Sequence, residues 1–546
     1  MNSSVFVSKK MSINRYIILF IPLILSSFTH LWNVSQFPSF HPDEGVYIKR
    51  ALHILAGLGL QDPSSRFDHS QDSTSAYDHP YFGPLFLAGV FKILGYPQIL
   101  NTTPNAASIE TLSSVPRIIM GVLAILDTLL VYKISERRYN SKVALFASVL
   151  FAVMPLGWFT RRVVLDSIML PFLLTSILLI LEIRSNPKYV QTLSVLSGIC
   201  LGLAIFTKIP CFTLIPLIVF LIYQNIDRKT FPSVDRLKIL TIWLLPVILI
   251  PIIWPLYAFL TGELNEWIDG IFWQSLGRQN KGKSLFDIAG NAWASDPVLL
   301  VVGAAGVIYL TIRREYFPIF WIIPYITFLF FVGWVTHFHL ILLIPILCIS
   351  VAKMIYDLPA IIRIKKNIPI STIIISGISL FGLISSAILI STDLSYVQFA
   401  ATAYISKALV PTNGSFINKN HTNINLTYAN DDDDSNQITV ISSPIFSWVY
   451  KYVFNHDYTF SHVRDTQPIK TEKLILLVDS TYKHVIGGGE GENATQLKRL
   501  MNIYNNTEIV ALFKDDTSNY NKKYYPFTGI ESANIGSRTE EIRANY

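Results

Sequence analysis

The chain has 546 residues, of which 51% are hydrophobic and only 15% charged, with a mean hydropathy of +0.42 and a formal net charge of +7. So apolar a balance excludes an ordinary soluble globular protein and points to a polytopic α-helical membrane protein. The positive charge does not indicate a nucleic-acid partner, because Lys and Arg cluster in short runs between apolar segments, where they orient membrane spans.

The first apolar stretch, Tyr16 to Trp32, follows Lys9, Lys10 and Arg15. No small-residue cleavage site follows it, so it reads as a retained span. Directly beyond stands His41-Pro42-Asp43-Glu44-Gly45. Pro42 suits a first helical turn, and Ile48, Leu52, Leu55 and Leu58 recur at helical spacing, which predicts an amphipathic helix lying on the bilayer surface. Asp43 and Glu44 at its N-terminal end either complement the helix dipole or form a catalytic pair. The same outer loop holds Asp78-His79-Pro80 and then an apolar run through Gly95, read as a second surface-lying helix. Counting that run as a span would invert every later loop against the distribution of basic residues. His79 beside a carboxylate tunes a proton or binds a ligand, or is simply a solvated loop histidine.

Further spans are expected at Val115–Ile134, Val143–Phe159, Ile168–Ile183, Leu193–Phe206, Phe212–Gln224, Leu240–Leu260, Pro297–Ile312, Phe317–Val335, Leu340–Tyr356 and Ile370–Ser391, about eleven with the first. With the N-terminus cytoplasmic, the inner loops carry Arg137-Arg138, Arg184, Arg228-Lys229, Arg313-Arg314 and Lys365-Lys366, as the positive-inside rule requires. Residues 34–114, Thr261–Asp296 and the tail from Thr392 then lie outside. N-glycosylation triplets begin at Asn33, Asn101, Asn413, Asn420, Asn425, Asn493 and Asn505, all in parts assigned outside or at the outer edge; only Asn2 departs.

After Ser391 the composition becomes polar, and Asp431–Asp434 forms an acidic run, a solvated loop or a cation ligand. Alternating segments at Ile438–Ser442, Phe446–Phe454, Lys473–Asp479, Ala494–Tyr504 and Ile509–Lys514 predict a small α/β domain. The chain therefore divides into a membrane domain, 1–391, and an extracytoplasmic domain, 392–546. Cys200, Cys211 and Cys348 all lie in or beside apolar segments, so the outer domain has no disulfide framework. That favours a prokaryotic cell membrane, archaeal included, over the membrane of a eukaryotic endoplasmic reticulum.

Ionisable groups at span ends are expensive and tend to be functional. Arg117, Arg161, Arg162, Asp166, Lys208, His337 and His339 all fall on the expected outer side, and Arg278, with Lys281 and Lys283, belongs to an outer segment read as a flap. For any one cation the plain alternative is interfacial snorkelling. Their convergence with an acidic pair suits a reaction that removes a proton while stabilising a leaving phosphate.

These pieces resemble the GT-C superfamily of membrane glycosyltransferases, in particular its protein O-mannosyltransferase and lipid A aminoarabinose transferase branches. The matching residues run in order from Asp43-Glu44, through His79-Pro80 with Pro84-Leu85, Pro116-Arg117, and Pro155 before Arg161, Arg162 and Asp166. They continue with Gly198-x-x-x-Gly202 leading to Thr207-Lys208, and end with His337-Phe338-His339-Leu340 and Pro345, over about Tyr16 to Met354. The resemblance implies a polyprenyl-phosphate-linked sugar as donor, a protein, lipid or glycan hydroxyl as acceptor, and inverting transfer on the outer face. It makes Asp43 the general base and Glu44 a positioning group, with Lys208, Arg117 and Arg161 or Arg162 on the lipid phosphate. Asp78, His79, Asp166, Arg278, His337 and His339 complete the expected substrate site. Where the family shows two adjacent prolines after the loop histidine, this chain has Pro80-Tyr81, which leaves the role of His79 open. No cofactor follows from the motifs, and a divalent cation is left open. A transporter is the competing reading, but it would place its ionisable groups near the bilayer midplane in repeated halves.

Overall fold

The computed structural model of the chain describes residues 18–61, 77–226, 235–277, 285–332, 335–361, 369–409, 438–460, 473–479, 494–515 and 538–545. Arg278, Lys281, Lys283, Asp431–Asp434 and the triplets at Asn413, Asn420, Asn425 and Asn493 lie outside them.

The first apolar helix, α1, is Ile18–Leu31. Two short helices follow, α2 (Pro42–Leu55) and α3 (Phe82–Leu94), then α4 (Ala106–Arg138), α5 (Ser141–Val153), α6 (Leu165–Glu182), α7 (Val190–Thr207), α8 (Ile215–Asn225) and α9 (Arg236–Thr261). Short α10 (Leu264–Phe272) and α11 (Leu285–Ser295) precede α12 (Pro297–Ile312), α13 (Phe317–Val332), α14 (Ile344–Ile361) and α15 (Ile370–Ile390). Among the described residues six helices are long and apolar enough to cross a membrane: Ala106–Arg138, Leu165–Glu182, Pro187–Thr207, Arg236–Thr261, His337–Ala360 and Ile370–Ile390. Each falls on an expected span. Helix α4 overruns its span at both ends, because Asn105 caps it by accepting from Ser108 N–H, and Arg137 and Arg138 suit its last turn.

The expected span Val143–Phe159 is broken. Pro155 offers no N–H to continue α5, and the chain turns by 69° into a tight helix at Pro155–Arg161. Helices α7 and α9 pack backbone to backbone, since a side chain at Gly198 would overlap the Trp243 carbonyl and one at Gly202 would crowd that of Pro246.

Helix α2 forms where Pro42 and the acidic first turn predict it, but it does not lie on a surface. It is buried from Glu44 to His53, with α3 on one side and the C-terminal domain on another. That domain begins with α16 (Tyr396–Leu409), which packs on α4. Strands β1 (Ile438–Ile441), β2 (Thr459–Phe460), β3 (Lys473–Val478), β4 (Glu508–Asp515) and β5 (Arg538–Ala544) form one sheet in the order β2-β1-β3-β5-β4. β1 pairs in parallel with β2 and β3, while β5 pairs antiparallel with β3 and β4. Strand β3 is apolar at nearly every position because it is covered on both faces. Ile475 and Leu477 join Ala401 and Ile405 of α16 and Tyr450 of α17 (Pro444–Tyr452) on one side. Leu474, Leu476 and Val478 join Leu500 of α18 (Ala494–Asn505) on the other. Helix α17 docks the domain onto α2: a Cβ at Gly45 would overlap the carbonyl of Pro444, so only glycine admits this approach.

Candidate active site

The N-terminus of α2 is set by His41. Its Nδ1 accepts from Asp43 N–H at 3.3 Å, and its own N–H donates to Glu44 Oε1 at 3.1 Å, a capping box in which imidazole replaces the usual hydroxyl. Successive residues on a helix point about 100° apart, so the acidic pair divides. Asp43 turns into a cavity of about 500 Å³, and Glu44 turns into the protein.

Glu44 is completely buried. Arg117 Nε and Nη2 donate to its two oxygens at 2.9 and 2.8 Å, Arg162 Nη1 donates at 2.9 Å, and Val163 N–H at 3.1 Å. Burial works against its charge, but Arg117 and Arg162 outweigh burial and hold the carboxyl below its ordinary range. Arg117 also donates to the carbonyls of Val34 and Pro38 and lies 3.5 Å from the Phe40 ring centre. Arg162 donates to Ser39 O at 2.6 Å, and Arg161 to Trp32 O at 2.5 Å. These three arginines, expected on the lipid phosphate, are buried and absent from the lining of this cavity. They tie the chain before α2 to α4 and to the broken helix. Glu44, expected to position the acceptor or the base, anchors this network beside Asp43.

The cavity gathers His41, Asp43, Tyr47, Asp78, His79, Asp166, Lys208 and His339, with Gln274, Ser275 and Thr336. Val164, Ile209, Pro210, Ile271, Phe328, Leu329, Val332 and Phe338 form its apolar wall. Lys208 ends α7, and its Nζ donates to Asp166 Oδ2 at 2.5 Å, across to the first turn of α6. Asp78 accepts from Arg50 Nη2 at 2.7 Å. Asp43 lies 3.5 Å from His41 Nδ1. Burial, reinforced by Asp43, pushes the Tyr47 hydroxyl well above its ordinary range, which keeps it protonated. His339 is oriented by Thr336, whose hydroxyl lies 2.9 Å from His339 Nδ1. His337 is set apart from the lining, its ring packed among Trp158, Phe159 and Phe338.

Of the residues expected from sequence, Asp43, Asp78, His79, Asp166, Lys208 and His339 therefore meet on one cavity. Glu44, Arg117, Arg161, Arg162 and His337 stand outside its lining, and Arg278 is outside the described residues. His41, Tyr47 and Gln274 were not among the expected site residues. Tyr47 was legible, because it follows Asp43 by four and so shares its helix face. Among the described residues no three His, Cys, Asp or Glu side chains are grouped to hold a metal ion.

Residues 65–263 match the family model of dolichyl-phosphate-mannose-protein mannosyltransferases. No curated protein matches the sequence. Among solved structures, ArnT from Cupriavidus metallidurans bound to undecaprenyl phosphate is similar at 10% identity, with a TM-score of 0.52 over 96% of this chain and 97% of that one. The Archaeoglobus fulgidus oligosaccharyltransferase tethered to an acceptor peptide has 12% identity and a TM-score of 0.49, over 92% of this chain and 69% of that one. The arabinofuranosyltransferase AftD from Mycobacteria has 13% identity and a TM-score of 0.43, over 96% and 39%. The chain thus carries helices long and apolar enough to cross a membrane, shares its fold with ArnT, and matches the mannosyltransferase family model over residues 65–263.

Proposed function

We propose that this protein transfers a sugar from a polyprenyl-phosphate donor to a hydroxyl acceptor on a protein, lipid or glycan, with inversion at the anomeric carbon. One observation carries the reading: Asp43 and the Lys208–Asp166 pair line the same cavity, whose remaining wall is largely apolar. Carboxylate, ammonium and apolar wall match an acceptor hydroxyl, a phosphate and a lipid chain in turn. The undecaprenyl phosphate of the ArnT structure and the dolichyl-phosphate-mannose of the family description support that class of donor.

In the proposed reaction Asp43 accepts the proton of the acceptor hydroxyl as its oxygen attacks the anomeric carbon. The bond from that carbon to the phosphate oxygen breaks, and its electron pair leaves with the polyprenyl phosphate. Lys208 neutralises the departing charge, sharing its ammonium between Asp166 and the phosphate. A single displacement from the face opposite the leaving group inverts the centre. Tyr47, His79 and His339 supply hydrogen bonds to sugar or phosphate. The basic loops lie inside the cell, and the cavity opens outside.

The test supplies radiolabelled polyprenyl-phosphate sugars to membranes carrying wild type or Asp43→Asn. Wild type labels an acceptor, and Asp43→Asn transfers at least about a hundredfold more slowly, as expected on removing a general base. Equal labelling by the two would refute the assignment.

A further inference from the structure

Strand β5 runs through the interior of the sheet, between β3 and β4, and its alternate residues Glu540, Ile542 and Ala544 are all buried. Ile542 and Ala544 belong to the apolar core shared with α16 and α17. Glu540 breaks that pattern by putting a carboxylate where its strand neighbours bring methyl groups. It is 3% exposed, and Asp479, at the end of β3, is 2% exposed. Both line a cavity of about 10 Å³ between the sheet and the two helices, the size that admits one water or one ion.

Two further groups at this cavity supply oxygen. Gln398 of α16 is 4% exposed, and its Oε1 has no hydrogen-bond partner among the described residues. Ser443 stands at the N-cap of α17, where a serine ordinarily caps its helix, yet its side chain makes no capping hydrogen bond, and the residue lines the cavity. Two buried carboxylates, an unpaired amide oxygen and a hydroxyl that forgoes its cap form an all-oxygen donor set, the chemistry of a hard divalent cation.

We propose that this joint binds one divalent cation of the calcium or magnesium class through Asp479, Glu540, Gln398 Oε1 and Ser443. The ion links β3, β5 and α16 to the first turn of α17. Pro444, next to Ser443, is the residue whose carbonyl presses on Gly45 of α2, two residues from Asp43. The cation thus steadies the brace behind the catalytic helix from outside the cavity, and its binding is independent of the transfer reaction.

The test uses the purified full-length chain in detergent, stripped with a chelator, with thermal unfolding followed by tryptophan fluorescence during titration with CaCl2 or MgCl2. In wild type, one of the two ions raises Tm by about 2–5 °C at saturation, and Asp43→Asn responds in the same way. Glu540→Gln and Asp479→Asn lose the rise. Gln398→Glu, which adds a third carboxylate, lowers the half-saturating concentration by about tenfold or more, so the proposal stays testable if the loss variants fold poorly. Three results would overturn it: a wild-type Tm indifferent to both ions, a rise that persists in Glu540→Gln and Asp479→Asn, or a Tm that responds only to pH, the mark of a shared proton or a water in the cavity.

Discussion

Glu44 is enclosed with two guanidinium groups away from solvent, so removing its charge takes a buried carboxylate from both Arg117 and Arg162. We expect Glu44→Gln to destabilise the chain by about 3–5 kcal/mol, read as a lowered unfolding temperature of the purified protein. Asp43→Asn, at the cavity wall, should stay within about 0.5 kcal/mol of wild type. The pH dependence has a definite sign. A carboxyl held below its ordinary value of 4.5 contributes stability that is complete above that value and fades as pH falls through the lower folded value. The acid-induced drop in unfolding temperature should therefore shrink in Glu44→Gln, and an unchanged acid limb would contradict the role given to Glu44. Composition and position singled out Asp43 and Glu44 together; only helix geometry separates them. The partner of Glu44 lies 73 residues away, at Arg117, and no local pattern reports a pairing of that range. Lys208 and Asp166 were legible as ionisable groups at span ends, but their direct contact was not.

Helix α2 is held between α3 and α17, and at Gly45 its backbone comes close to the Pro444 carbonyl. Gly45→Ala should cost about 1–3 kcal/mol through overpacking and make the C-terminal domain more sensitive to limited proteolysis. Proteolysis and unfolding both equal to wild type would mean that α17 does not dock as described. A cluster of Phe40, Phe399 and Phe446, with ring centres 5.3–5.9 Å apart, continues the same contact from the chain before α2 into α16 and α17. Elements were legible wherever period and composition agreed: β1, β3, α18 and β4 fall where alternation and apolar runs place them. Strand β5 was missed because Arg-Thr-Glu-Glu-Ile-Arg-Ala carries charge at an inward position. The surface position expected for α2 failed because an amphipathic pattern cannot tell a membrane surface from a second domain as the covering layer.

At the scale of the whole molecule, the apolar runs located the membrane helices, while the 69° break at Pro155 and the folding back of the sheet domain depend on contacts distant in sequence. The triplet at Asn33 shows the same limit. Its side-chain amide donates to Ile390 O and Asp393 Oδ1 at 3.0 Å each, tying the first loop to the end of α15, so in the folded chain it is a structural contact. The proposed orientation has its own test. In intact cells Lys142→Cys should resist a membrane-impermeant thiol reagent, whereas Asn101→Cys should react; the reverse pattern would invert the topology.

The centre of the account is that Asp43 moves a proton and Lys208 holds the phosphate of one donor in one cavity. The direct measurement compares binding of radiolabelled polyprenyl phosphate with single-turnover transfer in purified wild type, Lys208→Met and Asp43→Asn. We expect Lys208→Met to weaken binding by about tenfold to a hundredfold. Asp43→Asn should bind as wild type does and fail in transfer. Loss of binding in Asp43→Asn equal to that in Lys208→Met, or full binding by Lys208→Met, would contradict it.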